Sequence, residues 1–417
     1  MMKNKIIKIP YGKGFYKLNN ENNFDLLKIE QIPKLENHED KILEKLNNPT
    51  ATKPLKEILK NKKNICIVIS DITRPIPNRH ILQVLLDYIH KEGIKKENIK
   101  IIVATGSHEE PTGRDYIELM GEYIRSNYKI LWNDCYGDNF VYSGVEYDGF
   151  KISVNRDYIN SDVKILIGLI EPHIYAGYSG GRKSIVPGLC DWESFKAIHG
   201  YKIMTHPEFG LDSIDKNPFH LIATSVAQKV GADFIINIAI NEKREIINIF
   251  TGDLNQAFLE GVEYIRKHFF INSSKKYDLI ITNGGGYPLD SFFYQLVKGM
   301  NSPISYLKKD GKLLIIAKCE NGIGTRQFHE LIKNINKIDD FINKIKHSFV
   351  MEQWTIQAYY KVFRATKVFL YSPIFEEYPF LEKFVDRVDD IDNFINNIKK
   401  EKQEYSFGVF LNGPYAF

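Results

Sequence analysis

The dominant pattern along the chain is a series of short apolar runs, each followed by a polar or glycine-bearing loop and then by a stretch of helical periodicity. Asn64-Ile65-Cys66-Ile67-Val68-Ile69-Ser70 is continuous and rich in β-branched residues, which predicts a strand buried on both faces. It ends at Asp71-Ile72-Thr73-Arg74-Pro75-Ile76-Pro77, where two prolines punctuate a loop, and a helix is predicted from about Arg79 to His90. The pattern then recurs. A predicted strand Asn98–Thr105 ends at Gly106-Ser107-His108 and is followed by a helix over Thr112–Ser126. A short strand Tyr128–Trp132 ends at Asn133-Asp134, and a buried strand Asp162–Gly168 ends at Leu169-Ile170-Glu171-Pro172-His173. Strands alternating with helices predict an α/β fold with a largely parallel sheet.

The rest of the chain divides around this unit. The first 60 residues read as a short strand near Ile7–Pro10 followed by polar, helical stretches, and residues 174–190 are rich in glycine. A helix with many small residues is expected within 212–230. Antiparallel strands are expected at Phe234–Ile240 and Glu245–Phe250, and a helix at Leu254–Phe269. Asn272-Ser273-Ser274-Lys275-Lys276 reads as a linker. A second α/β unit follows, with strands Tyr277–Thr282, Gly311–Ala317 and Lys367–Ser372 and a helix Ser291–Met300. The expected organisation is two α/β domains, 1–271 and 272–417, with the last residues able to pack back on the first. No internal repeat and no low-complexity tract interrupts it.

Composition narrows the function classes. With 417 residues, 43% hydrophobic and 26% charged, the chain has ample apolar surface for a folded core. A net charge of +4, with scattered lysines and arginines, gives no nucleic-acid footprint. Four dispersed cysteines, Cys66, Cys135, Cys190 and Cys319, form no CxxC pair, which excludes a zinc ribbon and argues against a disulfide framework. Met1-Met2-Lys3-Asn4-Lys5 is basic, but the apolar patch after it is too short for a signal peptide. No run approaches the roughly 18 apolar residues of a membrane span, so the expected setting is cytoplasmic. The modest charge and the lack of a coiled-coil repeat are compatible with a monomer or a dimer.

Polar residues gather just beyond the predicted strand ends, where open α/β sheets place ligands. Gly177 to Ser184 reads G-Y-S-G-G-R-K-S, close to a phosphate loop, but Arg182 occupies the place of the last glycine. A dinucleotide fingerprint is absent, since Gly322-Ile323-Gly324 is too short a match. Glycine-rich backbone beside Arg182 and Lys183 is still suited to an anion or phosphate. His108 and His173 both follow buried strands of one sheet, so two imidazoles can face one substrate, as racemisation or epimerisation requires. Arg74 is a candidate carboxylate or phosphate clamp, and Asp71 a candidate to cap the turn or orient a neighbour. Gln295 and Lys298, three apart, share a helical face.

Several motifs in order are similar to those of the nickel-dependent lactate racemase family, which also contains racemases and epimerases of other 2-hydroxy acids. They are Asp71-Ile72-Thr73-Arg74-Pro75, Thr105-Gly106-Ser107-His108, Glu171-Pro172-His173 running on through Ala176 to Gly188, and Gly285-Gly286-Tyr287-Pro288-Leu289-Asp290 leading to Tyr294-Gln295-Leu296-Val297-Lys298-Gly299. The resemblance covers nearly the whole chain. It implies two α/β domains with a cleft between them, the first catalytic and cofactor-tethering. It also implies nickel and a pyridinium-3,5-bisthiocarboxylic acid mononucleotide pincer cofactor tethered covalently through Lys183, with His199 as the protein ligand to the metal. His108 and His173 match the acid/base pair. Arg74, Gln295 and Lys298 match residues near the substrate. Asp71, Thr73, Arg74, Tyr178, Ser179, Gly180, Gly181 and Arg182 match residues around the cofactor.

The implied reaction interconverts the C2 configuration of lactate or a related hydroxy acid. A histidine takes the hydroxyl proton while hydride moves to the cofactor, through a 2-keto acid, because removing the α-proton directly would make an unstable dianion. The implied partners are a small 2-hydroxy acid and the biosynthetic proteins that load the cofactor, with no nucleic acid or membrane. Asn133 stands where family members often carry histidine. Tyr175, Tyr178, Trp192, Phe292 and Phe293 are expected as core or cleft lining. Another hydride-transfer isomerisation, or a non-catalytic protein that binds a nucleotide or metallocofactor, stays open at this point.

Overall fold

The computed structural model describes residues 6–19, 24–401 and 404–417; the basic stretch Met1–Lys5 lies outside them. The chain forms two compact units, Gln31–His268 and a second made of Met1–Glu30 with Phe269–Phe417.

The Gln31–His268 unit is built on a six-stranded sheet. Its order is Ile246–Gly252, Phe234–Ile240, Val163–Leu169, Ile65–Ser70, Ile99–Ala104, Lys129–Trp132. All neighbours pair in parallel except the first two, which are antiparallel as their sequence predicts. Ile65 to Ile69 are completely buried, which is why that run is uninterrupted by polar residues. On one face the core is completed by helices His38–Asn47, Asn78–Lys91 and Gly113–Asn127. On the other, helix Gln256–Phe269 approaches so closely that a Cβ at Gly261 would lie 2.8 Å from the Ile170 side chain. Thr112 opens the Gly113–Asn127 helix with a reciprocal capping box to Asp115.

Two elements of this unit differ from expectation or were not foreseen. Phe140–Tyr147 and Phe150–Asn155 form an antiparallel hairpin around Asp148-Gly149, both at positive φ. The Asp-Gly pair was the available signal, since both turn positions demand the left-handed region. His199 is the residue that ends helix Trp192–Ile198.

The second unit has its own sheet, in the order Asp386–Arg387, Lys367–Tyr371, Leu307–Ile316, Tyr277–Asn283, Phe407–Phe410, Asp25–Leu27, with every pairing parallel. A hairpin, Ile6–Tyr11 with Gly14–Asn19, and helix Ile391–Lys399 supply apolar side chains to its core. The first thirty residues therefore belong with the C-terminal unit, not with residues 31–271 as the sequence pattern suggested. Asp25 pairs opposite Gly408, a partner over 380 positions away that local pattern does not encode. Phe417 donates to Phe269 O (2.9 Å) and accepts from Ile271 N (2.6 Å), so the last residues reach back to the end of the expected 1–271 segment, at residues that belong here to the C-terminal unit. The helix expected over Ser291–Met300 is broken into 3₁₀ turns at Leu289–Ser291 and Phe293–Gln295, then a short helix Leu296–Asn301. Among the described residues no helix is long and apolar enough to cross a membrane.

Asp290 holds the N-terminal hairpin in place. Its fully buried carboxylate accepts from Gly12 N (2.7 Å) and Lys318 N (3.3 Å), while Tyr287 N donates to Gly12 O (2.8 Å). Asp290→Ala leaves the buried Gly12 amide and the part-buried Lys318 amide without this partner, at a cost of about 1–3 kcal/mol. It is expected to raise hydrogen exchange at Gly12 well above wild type; unchanged protection there would show that the hairpin is held by other contacts.

Candidate active site

The site begins where the order of strands reverses. From Ile65–Ser70 the chain builds outward through Ile99–Ala104 to Lys129–Trp132, then returns to place Val163–Leu169 on the other side. The loops after Ile65–Ser70 and Val163–Leu169 thus leave neighbouring strands at the same carboxyl edge, the switch point at which open α/β sheets bind ligands. Arg74 from the first loop meets Glu171 from the second at 3.1 Å, both partly exposed. Such a pair contributes at most about 1 kcal/mol, so it aligns the loops more than it stabilises them.

Asp71 is 6% exposed and its two oxygens have separate tasks. Oδ1 accepts from Thr73 N (3.1 Å) and Thr73 Oγ1 (2.6 Å), while Oδ2 accepts from Nδ1 of His108. Burial alone would raise this carboxyl, but the bond and charge of His108, with help from Thr73 and Arg74, hold it below the ordinary carboxylate value. His108 itself is more than half exposed. Its loop is tied to the glycine-rich segment by Gly106 N donating to Gly188 O (3.1 Å).

His173 sits on a two-residue strand paired with Gly177–Tyr178. The reversal between them requires glycine at 177, where φ is +75° and a Cβ would fall 2.0 Å from Ser213 O. Inside this turn His173 Nδ1 accepts from Tyr175 N (3.1 Å) and Ala176 N (3.3 Å). The Tyr175 ring lies 5.4 Å from the His173 ring and 6.4 Å from the His199 ring, and so links the two. His199 is buried, stacked on Phe195 at 4.0 Å, with Nδ1 donating to Phe195 O (3.0 Å). Burial, opposed by that bond and reinforced by the charges of Lys183 and His108, pushes its pKa down to about 3. His199 is therefore a neutral ring whose Nε2 carries the lone pair, the form that ligates metals. Among the described residues no group of three or more His, Cys, Asp or Glu is arranged to hold a metal alone.

The glycine-rich segment is held by several buried contacts. Arg182 was expected beside a cofactor. Its guanidinium is buried, bonded to His220 Nε2 (2.6 Å), Leu254 O (3.3 Å) and Asn255 Oδ1 (3.1 Å), and lies 4.3 Å over the Phe258 ring. Tyr178, also expected near the cofactor, is buried with its hydroxyl on Asp212 (2.6 Å). Ser179 Oγ is buried without a hydrogen-bond partner. Gly180 and Gly181 have positive φ, and a Cβ at Gly180 would come 3.0 Å from Asn237 Oδ1 and 3.1 Å from Leu169 O. Lys183 follows Arg182 in the same 3₁₀ turn, Gly181–Ser184.

Asn237 escaped the sequence reading. It is fully buried in Phe234–Ile240 and its Oδ1 accepts from Gly181 N (3.2 Å), bracing the turn that carries Lys183. The signal was an asparagine within an otherwise apolar strand. Asn133 is likewise structural: its Nδ2 donates to Cys190 O (3.0 Å) and its Oδ1 accepts from Asn155 Nδ2 (3.1 Å). Arg74, Asp71, Thr73, His108, His173, Lys183 and His199 thus share one unit. Gln295 and Lys298 belong to the other, where Gln295 immediately precedes helix Leu296–Asn301 with Oε1 buried and unpartnered, and Lys298 lies in that helix's last turn.

Comparisons with known proteins agree over nearly the whole chain. Residues 11–212 match the lactate racemase N-terminal domain and residues 272–413 the lactate racemase C-terminal domain. A lactate racemase of Thermoanaerobacterium thermosaccharolyticum is 34% identical over 373 residues, 87% of each chain. One from Lactiplantibacillus plantarum is 30% identical over 322 residues, 76% of each. The structure of the Thermoanaerobacterium lactate racemase apoprotein superposes with a TM-score of 0.90 at 31% identity, covering 99% of both chains. A Thermotoga maritima protein, at 19% identity and a TM-score of 0.67, covers 91% of this chain and 97% of its own and shares the fold.

The Arg182–His220 pair predicts acid sensitivity. Burial first, and Arg182 second, push the His220 pKa from 6.5 down to about 3. The unfolded chain takes up that proton near 6.5 and the folded protein does not, so stability is present above 6.5 and falls as pH drops toward 3. In urea titrations between pH 7 and pH 4.5, His220→Gln is expected to lose less stability than wild type; parallel curves would overturn this account.

Proposed function

The chain belongs to the lactate racemase family, and from that premise we propose that it interconverts the C2 configuration of a 2-hydroxy acid, lactate or a close relative. The observation that carries this reading is the placement of His108 and His173 on the two sides of the strand-order reversal, each with Nδ1 held by the protein. Two differently seated imidazoles at one carboxyl edge are what inversion of a carbinol carbon needs: one removes the hydroxyl proton, the other serves the mirror-image substrate.

The residues present fit the nickel-pincer nucleotide that the family implies. Lys183 is the amine for the tether. His199 contributes one neutral nitrogen donor, which suits a metal that arrives with its other ligands already in place. When bound, that group supplies the acceptor and donor of the hydride. This chain's part is to bind and orient the hydroxy acid and to move the hydroxyl proton. Arg74, held by Glu171, offers further guanidinium donors to the substrate carboxylate. Gln295 and Lys298 are proposed on motif as further substrate-contacting residues. Arg182, Tyr178 and Asn237 act by holding the turn that presents Lys183.

Protein co-expressed with a cofactor-making pathway is expected to carry an adduct at Lys183 by mass spectrometry, with near-stoichiometric nickel. It is expected to equilibrate the enantiomers of its substrate from a panel of chiral 2-hydroxy acids. Lys183→Ala should lose the adduct. His108→Ala and His173→Ala should keep it and lose about 10²-fold or more of the interconversion rate. A loaded protein inert on the whole panel would turn the reading toward a cofactor-binding protein without this activity.

A further inference from the structure

The two candidate acid/base histidines are held by opposite kinds of group. His108 Nδ1 faces the carboxylate Oδ2 of Asp71, whose pKa is lowered and which is therefore ionised and can only accept. The Nδ1 of His108 must carry the hydrogen, so in the neutral ring Nε2 carries the lone pair. His173 Nδ1 faces two backbone amides, Tyr175 N and Ala176 N, which can only donate. Its Nδ1 must carry the lone pair, and in the neutral ring Nε2 carries the hydrogen.

We propose that His108 and His173 rest in opposite tautomers, with Asp71 as the positioning residue of His108 and the 174–176 turn fixing His173, so that at Nε2 the pair presents one lone pair and one N–H. The same arrangement gives Asp71 a task other than the cofactor contact its motif suggested. Thr73 occupies Oδ1 and fixes the rotamer that aims Oδ2 at the imidazole. The consequence for catalysis rests on the racemase reading above. The substrate enantiomer whose hydroxyl meets His108 finds a base ready. The mirror-image substrate needs His173 as base, which requires a hydrogen at Nδ1 and hence the loss of both amide bonds in the 174–176 turn. The balance is one proton given up by Nε2 to solvent and one taken up from it at Nδ1, with no net change in charge and no oxidant or reductant.

Nitrogen-15 NMR of the histidine rings tests the proposal on the unloaded protein, at a pH where the imidazoles are neutral, with His108→Gln and His173→Gln spectra assigning the signals. The expected result is a pyrrole-like Nδ1 and pyridine-like Nε2 in His108, and the reverse in His173. The same tautomer in both rings would overturn the proposal. In Asp71→Asn the His108 pattern should shift toward the other tautomer while His173 stays as in wild type; an unaltered His108 would remove Asp71 from the positioning role. In the loaded enzyme, Asp71→Asn should lower kcat by about 10²-fold or more with KM nearly unchanged. A raised KM with kcat intact would instead make Asp71 a binding residue and overturn its positioning role. If loaded wild type carried the expected tautomers yet racemised nothing, the activity reading would fail and the tautomer assignment would stand.

Discussion

Parallel pairing between the Ile65–Ser70 and Val163–Leu169 strands is the constraint on which the candidate site depends. Parallel strands all end at the same edge, so residues that follow them in sequence become neighbours even when they are 97 positions apart, as Arg74 and Glu171 are. Asp71 and Arg74 come from one side of the strand-order reversal, Glu171 and His173 from the other. His108 arrives from the next strand along. The meeting of these loops follows from burying two apolar strands side by side with their carboxyl ends aligned, and the tight turn at Gly177 then seats His173.

Around that edge, polar groups are held by partners that determine their protonation. An ionised carboxylate faces one histidine, backbone amides a second and a carbonyl a third, namely His199 on Phe195 O. Each partner offers only one role, so each ring is left with one nitrogen of known character. Burial makes that selection strongest at His199 and at the Asp71 carboxylate that faces His108, because a mismatched hydrogen bond away from water costs more than one at the surface. Tautomer control is thus a product of chain path, and the 174–176 turn achieves it with main-chain atoms alone.

Arg182 illustrates a different use of charge. A buried guanidinium with no carboxylate contact is costly unless its donors are satisfied. Here a neutral histidine, a carbonyl and a side-chain amide accept from its two terminal nitrogens, an aromatic face lies under it, and only Nε stays buried without a partner. The arginine fastens the Gly181–Ser184 turn to helices Pro218–Val230 and Gln256–Phe269 and to the loop before the latter. Its neighbour Lys183 is consequently presented by a turn that is anchored on one side by Arg182 and on the other by Asn237. A glycine-rich segment that reads as flexible is in fact tightly enclosed, since a Cβ at Gly177, Gly180 or Gly188 would meet backbone atoms at 3.1 Å or less.

The amino-acid sequence by itself determined the alternation of strands and helices, the parallel character of both sheets, and the presence of His108, His173, Lys183 and His199 in motifs that resemble one enzyme family. Those features are local or periodic: β-branched runs, loop prolines and glycines, and short ordered motifs. Only the tertiary structure decided that residues before 31 complete the sheet of the C-terminal unit. It also turned Arg182 and Tyr178 into the interior and set Asp71 against His108. These outcomes depend on contacts between residues far apart in the chain, such as Asp25 opposite Gly408 or Arg182 against His220. The same residue types could have made other contacts with equal local preference, and the choice among them was made by packing.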